Sequence, residues 1–399
     1  MINKLTKNIN LVFREIFKNE NLSINDIAIK VNKSVSLITN AVMDMVTDGV
    51  VIEAGYAESR GGRKPTLYRL CPDVGYTIVL SMDQFISRVL VMDMSNSLLF
   101  EPQLFNIDLA KNDDIAKQIL ELLRNVIVES QLPKEKILGV GIAMPGFVDF
   151  VKGINYSFIP SPIKDVPLRN YLSKALELPV FIDNDSSTVA LAESTFGLAK
   201  KVSNAMVVNI SWGIGLGIIT NGKLYRGENG FAGEFSHIPL FNNGKICSCG
   251  KIGCLETETS LKIVLAKVAE AVLAGRPTLL KKTFKEDDSL EEQFLKFIKA
   301  VEKRDTLAIE LLNEAAYNIG KGIAVLIHIF NPKKIVLSGR GALAGNVWLP
   351  PIQQAINEHC IRRLSEDVEV VVSQMAYQAE WVGTAALVVD NTFSTDGYS

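Results

Sequence analysis

Residues 233–256 read GEFSHIPLFNNGKICSCGKIGCLE. The chain has three histidines and five cysteines, and one histidine and three cysteines fall between His237 and Cys254. Three thiolates and an imidazole make a closed tetrahedral donor set, the kind that selects zinc. The expected ligands are His237, Cys247, Cys249 and Cys254. Four protein ligands leave no position for an activated water, so the expected ion is structural, fixing a glycine-rich loop. Cys71 and Cys360 lie far off in sequence and are expected to fill space.

Working outward, Glu234 stands three residues before His237 and Glu256 two after Cys254. An ion that immobilises the loop would also aim these carboxylates, acceptors suited to the hydroxyls of a sugar. Upstream, PVFIDNDSSTVALAESTFG passes from strand to helix with Asn184 and Asp185 at the junction. YTIVLSMDQFISRVLVMDMSNSLLF is strand-rich, DDIAKQILELLRNVIVES is an amphipathic helix, and ILGVGIAMPGFVDF is a buried strand ending in a Pro145-Gly146 turn. NAMVVNISWGIGLGIITNGKLYRG reads strand, glycine turn, strand. Strands alternating with helices predict an α/β body. The strand-turn-strand units at 76–93 and 205–219 point to a duplicated architecture with a cleft between its halves.

The first seventy residues differ in kind. They hold ten Lys/Arg against seven Asp/Glu, a net of +3, whereas the remaining 329 residues carry −5. A basic head on an acidic body suits a polyanion. Ile9, Val12, Phe13 and Ile16 recur at helical spacing. A second helix opens at Ser23, with Asp26 completing a capping box. A third opens at Ser34, carries Ile38, Val42, Met45 and Val46 as its apolar stripe, and ends at Gly49. The short VNKS corner between the last two predicts a helix-turn-helix. Ser34, Ser36, Leu37, Thr39 and Asn40 then face outward, where small polar side chains meet base edges and phosphates. VVIEAGYAESRGGRKPTLYRL predicts a hairpin wing with Arg60, Arg63 and Lys64 at its tip.

These segments together resemble the ROK family of repressors, open reading frames and sugar kinases. The most specific match is Cys247-x-Cys249-Gly250-x-x-Gly253-Cys254-x-Glu256. It follows a Glu234-x-x-His237 segment in which Ser236 replaces the family's glycine. The resemblance covers nearly the whole chain, including the winged helix-turn-helix of the repressor branch. It implies an actin- and hexokinase-like (ribonuclease H-like) body of two α/β lobes around a cleft. The expected domains are a winged head at 1–72, a first lobe at 73–190 completed by about 384–399, and a second lobe with the zinc loop at 191–383. It further implies that Glu234, His237 and Glu256 bind sugar hydroxyls, that Asn184 holds the sugar, and that Asp185 is the catalytic base if kinase activity is retained.

The phosphate turns depart from the family pattern. Where an Asp-x-Gly-x-Thr hairpin is usual, this chain has Ser81, Asp83 and Phe85. A carboxylate at the phosphate position repels it. Where Gly-Thr-Gly-x-Gly is usual, Ser211-Trp212-Gly213-Ile214-Gly215 puts an indole in place of a hydroxyl. The SGRG turn at 338–341 resembles the nucleoside loop. ATP is therefore not an expected cofactor. The expected function is a sugar-responsive transcriptional regulator, a repressor that binds a palindromic operator as a homodimer or higher homo-oligomer. The alternative is an ATP-dependent sugar kinase with a DNA-binding head. A polar N-terminus and the lack of an apolar run of roughly 18–20 residues predict a cytoplasmic protein without a membrane partner.

Overall fold

The computed structural model describes residues 7–58, 64–107, 109, 114–158, 166–285 and 287–394. The chain divides into two compact units. One is Met1–Thr188 with Trp381–Ser399, and the other is Val189–Glu380.

The first unit opens with three helices, α1 (Lys7–Lys18), α2 (Ile24–Val31) and α3 (Val35–Thr47). Val12, Phe13, Ile16 and Phe17 of α1, Ile27 and Ala28 of α2, and Ile38, Ala41, Val42 and Met45 of α3 are buried. Helical spacing thus gives each helix one apolar face. Ile9 and Val46, both expected inside, stay half-exposed at the edges of their stripes. Ser23 caps α2 through the expected box, accepting from Asp26 N while the Asp26 carboxylate takes the Ser23 N–H. Three residues, Asn32 to Ser34, turn the chain from α2 into α3, with Asn32 at φ 52°. Gly49 closes α3, its N–H returning to Val46 O at 3.0 Å. Strands β1 (Leu22–Ser23), β2 (Val51–Tyr56) and β3 (Thr66–Leu70) form an antiparallel sheet in the order β1-β3-β2. This is a winged helix-turn-helix.

The rest of this unit is a five-stranded sheet of β4 (Tyr76–Met82), β5 (Ile86–Asp93), β6 (Gln103–Asn106), β7 (Ile137–Met144) and β10 (Val180–Asn184). Its order is β10-β7-β4-β5-β6. A short hairpin, β8 (Val148–Asp149) with β9 (Ile154–Asn155), follows β7. β4, β5 and β6 run as an antiparallel meander, and β7 and β10 add in parallel beside β4. Alternation divides β4 between two cores. Ile78, Leu80 and Met82 pack with Ile119, Leu123 and Val126 of α4 (Ile115–Ser130) and Leu172 of α5 (Leu168–Leu176). Val79, on the other face, packs with Leu90, Met92 and Ala385, alongside Trp381 and Val382 of the C-terminal helix Gln378–Thr392.

That helix also reaches the head. Phe393, just past its end, stacks on Phe13 of α1 with ring centroids 4.1 Å apart. Asp390 receives Arg14 Nε at 3.1 Å and Lys18 Nζ at 2.8 Å.

The second unit repeats the sheet. β11 (Ala205–Ile210), β12 (Ile214–Thr220) and β13 (Lys223–Tyr225) form the antiparallel meander. β14 (Lys334–Ser338) and β15 (Glu369–Val372) add in parallel beside β11, giving the order β13-β12-β11-β14-β15. Both sheets have three antiparallel strands with two parallel ones joined to the first. The duplication read from two hairpins therefore extends to all five strands of each half. The helix α6 (Asp185–Thr195) begins in the first unit. Its later residues Val189, Ala190 and Ala192 pack with Val207, Ile219 and Val336 of the second sheet. No helix among the described residues is long and apolar enough to cross a membrane.

Candidate functional site: a Cys3His loop with flanking carboxylates, and a polar recognition face

The loop after β13 is held by backbone hydrogen bonds. Leu240 N and Phe241 N both donate to Gly253 O, Leu255 N donates to Ile238 O, and Cys247 N donates to Lys251 O at 2.8 Å. Gly253 is demanded by this packing. Its φ is 78°, and a Cβ there would lie 1.8 Å from Phe241 O. These constraints fold the spaced ligands back on themselves. One donor atom each from His237, Cys247, Cys249 and Cys254 lies within 4.8 Å of all the others. His237 Nδ1 is 3.4 Å from Cys247 Sγ, and Cys249 Sγ is 3.6 Å from Cys254 Sγ. Metal–sulfur bonds of about 2.3 Å at tetrahedral angles put sulfurs roughly 3.8 Å apart, so the donor set fits a small divalent metal. Cys247 and Cys254 are buried and Cys249 is exposed. Burial, then the neighbouring thiols Cys249 and Cys247, push the Cys254 thiol up. A cation at the centre reverses that, because it favours thiolate over thiol.

The same loop positions the acids. His237 turns its other nitrogen, Nε2, toward Glu234 Oε2 at 3.7 Å. Glu234 keeps 41% of its side chain exposed. Desolvation by its neighbours raises its carboxyl, His237 opposes that rise, and the nearby Glu256 adds to it. Glu256 opens the short helix Glu256–Thr259. Its Oε2 lies 2.9 Å from where a Cβ on Gly213 would stand.

In the first unit, Asn184 ends β10 and Asp185 opens α6. Asn184 serves as the helix cap. Its Oδ1 accepts from Ser186 N at 2.9 Å and Ser187 N at 3.2 Å, and its Nδ2 donates to Gly146 O at 3.1 Å. Asp185 Oδ1 accepts from Ser186 N at 2.8 Å.

The two substituted turns are each occupied by their own side chains. In the β4–β5 turn, Asp83 Oδ1 accepts from Phe85 N and Ile86 N, both at 2.8 Å, and Oδ2 lies 3.4 Å from Arg88 Nη1. The amides that would face an anion therefore already hold a carboxylate. In the β11–β12 turn, Trp212 is buried with the Arg340 guanidinium 4.2 Å from its ring. Arg340 comes from the SGRG turn, the segment whose sequence resembles the nucleoside loop. Arg340 and its acid Glu291, 49 residues away in sequence, carried no local signal. Glu193 was missed for the same reason. It is fully buried, accepting from Ser338 Oγ at 2.8 Å and Leu198 N at 3.0 Å.

On the head, Ser34, Ser36, Leu37 and Asn40 are exposed along the first turns of α3, and Thr39 is half-exposed. Ser34 is the α3 cap, accepting from Leu37 N. The Thr39 hydroxyl donates to Val35 O at 2.8 Å. Lys64 is exposed two residues before the wing's second strand, while Arg60 and Arg63 lie outside the described residues. Of the two remaining cysteines, both half-buried, Cys71 does more than fill space, since its Sγ donates to Asp73 at 2.9 Å.

Residues 93–391 match the model of the ROK family. The chain belongs to the ROK family. This ROK protein is 28% identical over 400 residues to a protein named xylose repressor from Caldicellulosiruptor bescii, covering 100% of this chain and 98% of that one. It is 31% identical over 256 residues to a protein named glucokinase from Halalkalibacterium halodurans, covering 64% of this chain and 77% of that one. Among solved structures, it is similar to a ROK family transcriptional regulator described as a homolog of the E. coli MLC protein. That likeness has a TM-score of 0.76 and 27% identity, and it covers 97% of this chain and 96% of that one.

Proposed function

We propose that this ROK protein is a sugar-responsive transcriptional repressor. The observation that carries the reading is the row Ser34, Ser36, Leu37 and Asn40, exposed on α3 in the same chain as the ROK body. The full-length likeness to a xylose repressor and to a ROK regulator supports it. Residues 34–40 read bases and Lys64, Arg60 and Arg63 of the wing hold phosphates. The effector is a sugar whose hydroxyls meet Glu234, His237 and Glu256, with Asn184 and Asp185 as further ligands. Zinc is the ion of the Cys3His loop, coupling to the sugar through His237 Nε2. The protein acts as a homodimer on a palindromic operator, and sugar changes operator affinity. Selection of bound DNA from a random pool at fixed salt, with and without xylose, glucose or N-acetylglucosamine, tests it. A pool with no enriched palindrome under any condition overturns it.

Asp185 and the glucokinase likeness favour a kinase as the second reading. The Asp83 carboxylate, bound across the first turn's amides, counts against it. A coupled ATPase assay with the same sugars separates the two. Turnover that Asp185→Asn abolishes would establish the kinase.

A further inference from the structure

Within the second unit, a chain of contacts runs from a buried cation to one of the proposed sugar ligands. Arg340 and Trp212 keep only 6% and 7% of their surface exposed. The guanidinium lies 4.2 Å from the Trp212 ring and 5.2 Å from the Tyr377 ring. Its Nη1 is 3.1 Å from Glu291 Oε2, and the Tyr377 hydroxyl bonds to the same glutamate. Phe294 meets the indole edge-on with centroids 6.0 Å apart. A buried guanidinium held over two rings and beside a carboxylate is restrained from several sides. Trp212 is thereby fixed, and with it the turn it occupies.

That turn touches Glu256 in two ways. Gly213 has no side chain, and Glu256 Oε2 lies 2.9 Å from where its Cβ would stand. Ser211 O accepts from Leu261 N at 3.1 Å, tying the turn to the helix Leu261–Leu273 that follows the one opened by Glu256. Ser211 N and Gly213 O close the turn itself at 2.9 Å.

We propose that Arg340 is a positioning residue for Glu256, acting through the Trp212 turn. The proposal rests on the reading that Glu256 takes a sugar hydroxyl. Arg340 sets where Gly213 stands, and Gly213 sets where the carboxylate waits. A carboxylate ordered before the sugar arrives avoids the entropy of being ordered by it. A planar, stacked guanidinium is not replaced by an ammonium.

The test uses full-length, metal-loaded protein titrated calorimetrically with xylose, glucose and N-acetylglucosamine. The variants are Glu256→Gln, Arg340→Lys, Trp212→Leu and Trp212→Tyr. Amide exchange at Leu261 is followed in each. Expected results are sugar binding by the wild type, loss in Glu256→Gln, and about tenfold weaker binding in Arg340→Lys and Trp212→Leu. Leu261 exchange should be faster in those two. Trp212→Tyr keeps a ring face, so it should bind within about twofold of wild type. If Arg340→Lys does not fold, the tyrosine and leucine pair carries the comparison. Wild-type affinity and Leu261 exchange in Trp212→Leu, with Glu256→Gln still silent, overturn the positioning role and leave the sugar reading standing. A wild type that binds none of the three sugars, or a Glu256→Gln that binds normally, overturns both.

Discussion

His237 Nε2 and Glu234 Oε2 face each other across 3.7 Å, while His237 Nδ1 stands 3.4 Å from Cys247 Sγ. One imidazole thus joins the sulfur cluster to the loop's first carboxylate. A ring anchored by metal on one nitrogen presents a defined tautomer and orientation on the other. The candidate metal ligands and this carboxylate thus share one loop.

The first prediction follows. Purified, untagged protein should carry about one equivalent of zinc per chain, and Cys247→Ser should carry far less. Removal of the ion by a chelator should lower the thermal midpoint and weaken sugar binding together, because Gly253 and its neighbours hold the ligands only in the folded loop. Elemental analysis paired with a thermal melt and a sugar titration checks all three. Intact sugar affinity in metal-free protein would show the ring does not depend on its ion.

A second prediction concerns the head. Asp390 sits between Arg14 and Lys18, 2.8–3.1 Å from each, with a fifth of its side chain exposed. Asp390→Ala leaves two cations facing each other on α1 without their shared acid. The expected cost is about 1–2 kcal/mol, above an ordinary surface pair because the carboxylate is largely shielded. A double-mutant cycle with Arg14→Ala, read by urea unfolding, should return a coupling near 1 kcal/mol. Additivity of the two changes would show that the pair adds nothing to stability.

What could be read in advance follows the reach of each interaction. The Ser23–Asp26 box and the Ser34 cap involve residues three apart, so local spacing announced them. The Cys3His cluster was legible because its donors fall within eighteen residues and their chemistry is restrictive. The strand order of the two sheets was only half legible, because β14 and β15 join β11 from far along the chain. Arg340 with Glu291 and Arg14 with Asp390 are partners only in the fold. Asn184 was expected to hold a sugar only because the family resemblance implies it. The structure gives it a local duty too, because helix starts need side-chain acceptors for their first N–H groups.

A third prediction concerns acid stability. Asp305 caps the helix Thr306–Phe330, accepting from Ala308 N at 3.0 Å, Leu279 N at 2.8 Å and Thr278 Oγ1 at 2.9 Å. Burial pushes its carboxyl up, but the hydrogen bonds from Leu279 and Ala308 and then Thr278 outweigh it, and the net shift is downward. A carboxyl depressed in the folded state stabilises above its unfolded value of about 3.9, and that stability is lost as pH falls through the folded value. Asp305→Ala should cost about 2 kcal/mol at pH 7, combining a lost cap with orphaned donors. The gap from wild type should shrink as the pH drops below about 4. Urea unfolding of both proteins across pH 3–7 checks the trend. A gap that widens in acid would contradict it.

The last prediction separates base reading from phosphate holding. Asn40 is exposed on α3, and an amide there can pair with adenine in the major groove. Lys64 is exposed two residues before β3, on the turn side of the hairpin, where an ammonium can meet phosphate as a point charge. Asn40→Ala should cost about 1–3 kcal/mol on the selected operator and relax preference at one base pair, while leaving the salt dependence unchanged. Lys64→Ala should weaken all sequences alike and reduce the slope of log affinity against log salt by about 0.9. Affinities over a salt series, on the selected operator and a scrambled duplex, distinguish the two. The assignment of α3 to bases and the wing to phosphates fails if Asn40→Ala changes the slope and Lys64→Ala changes only the preferred base.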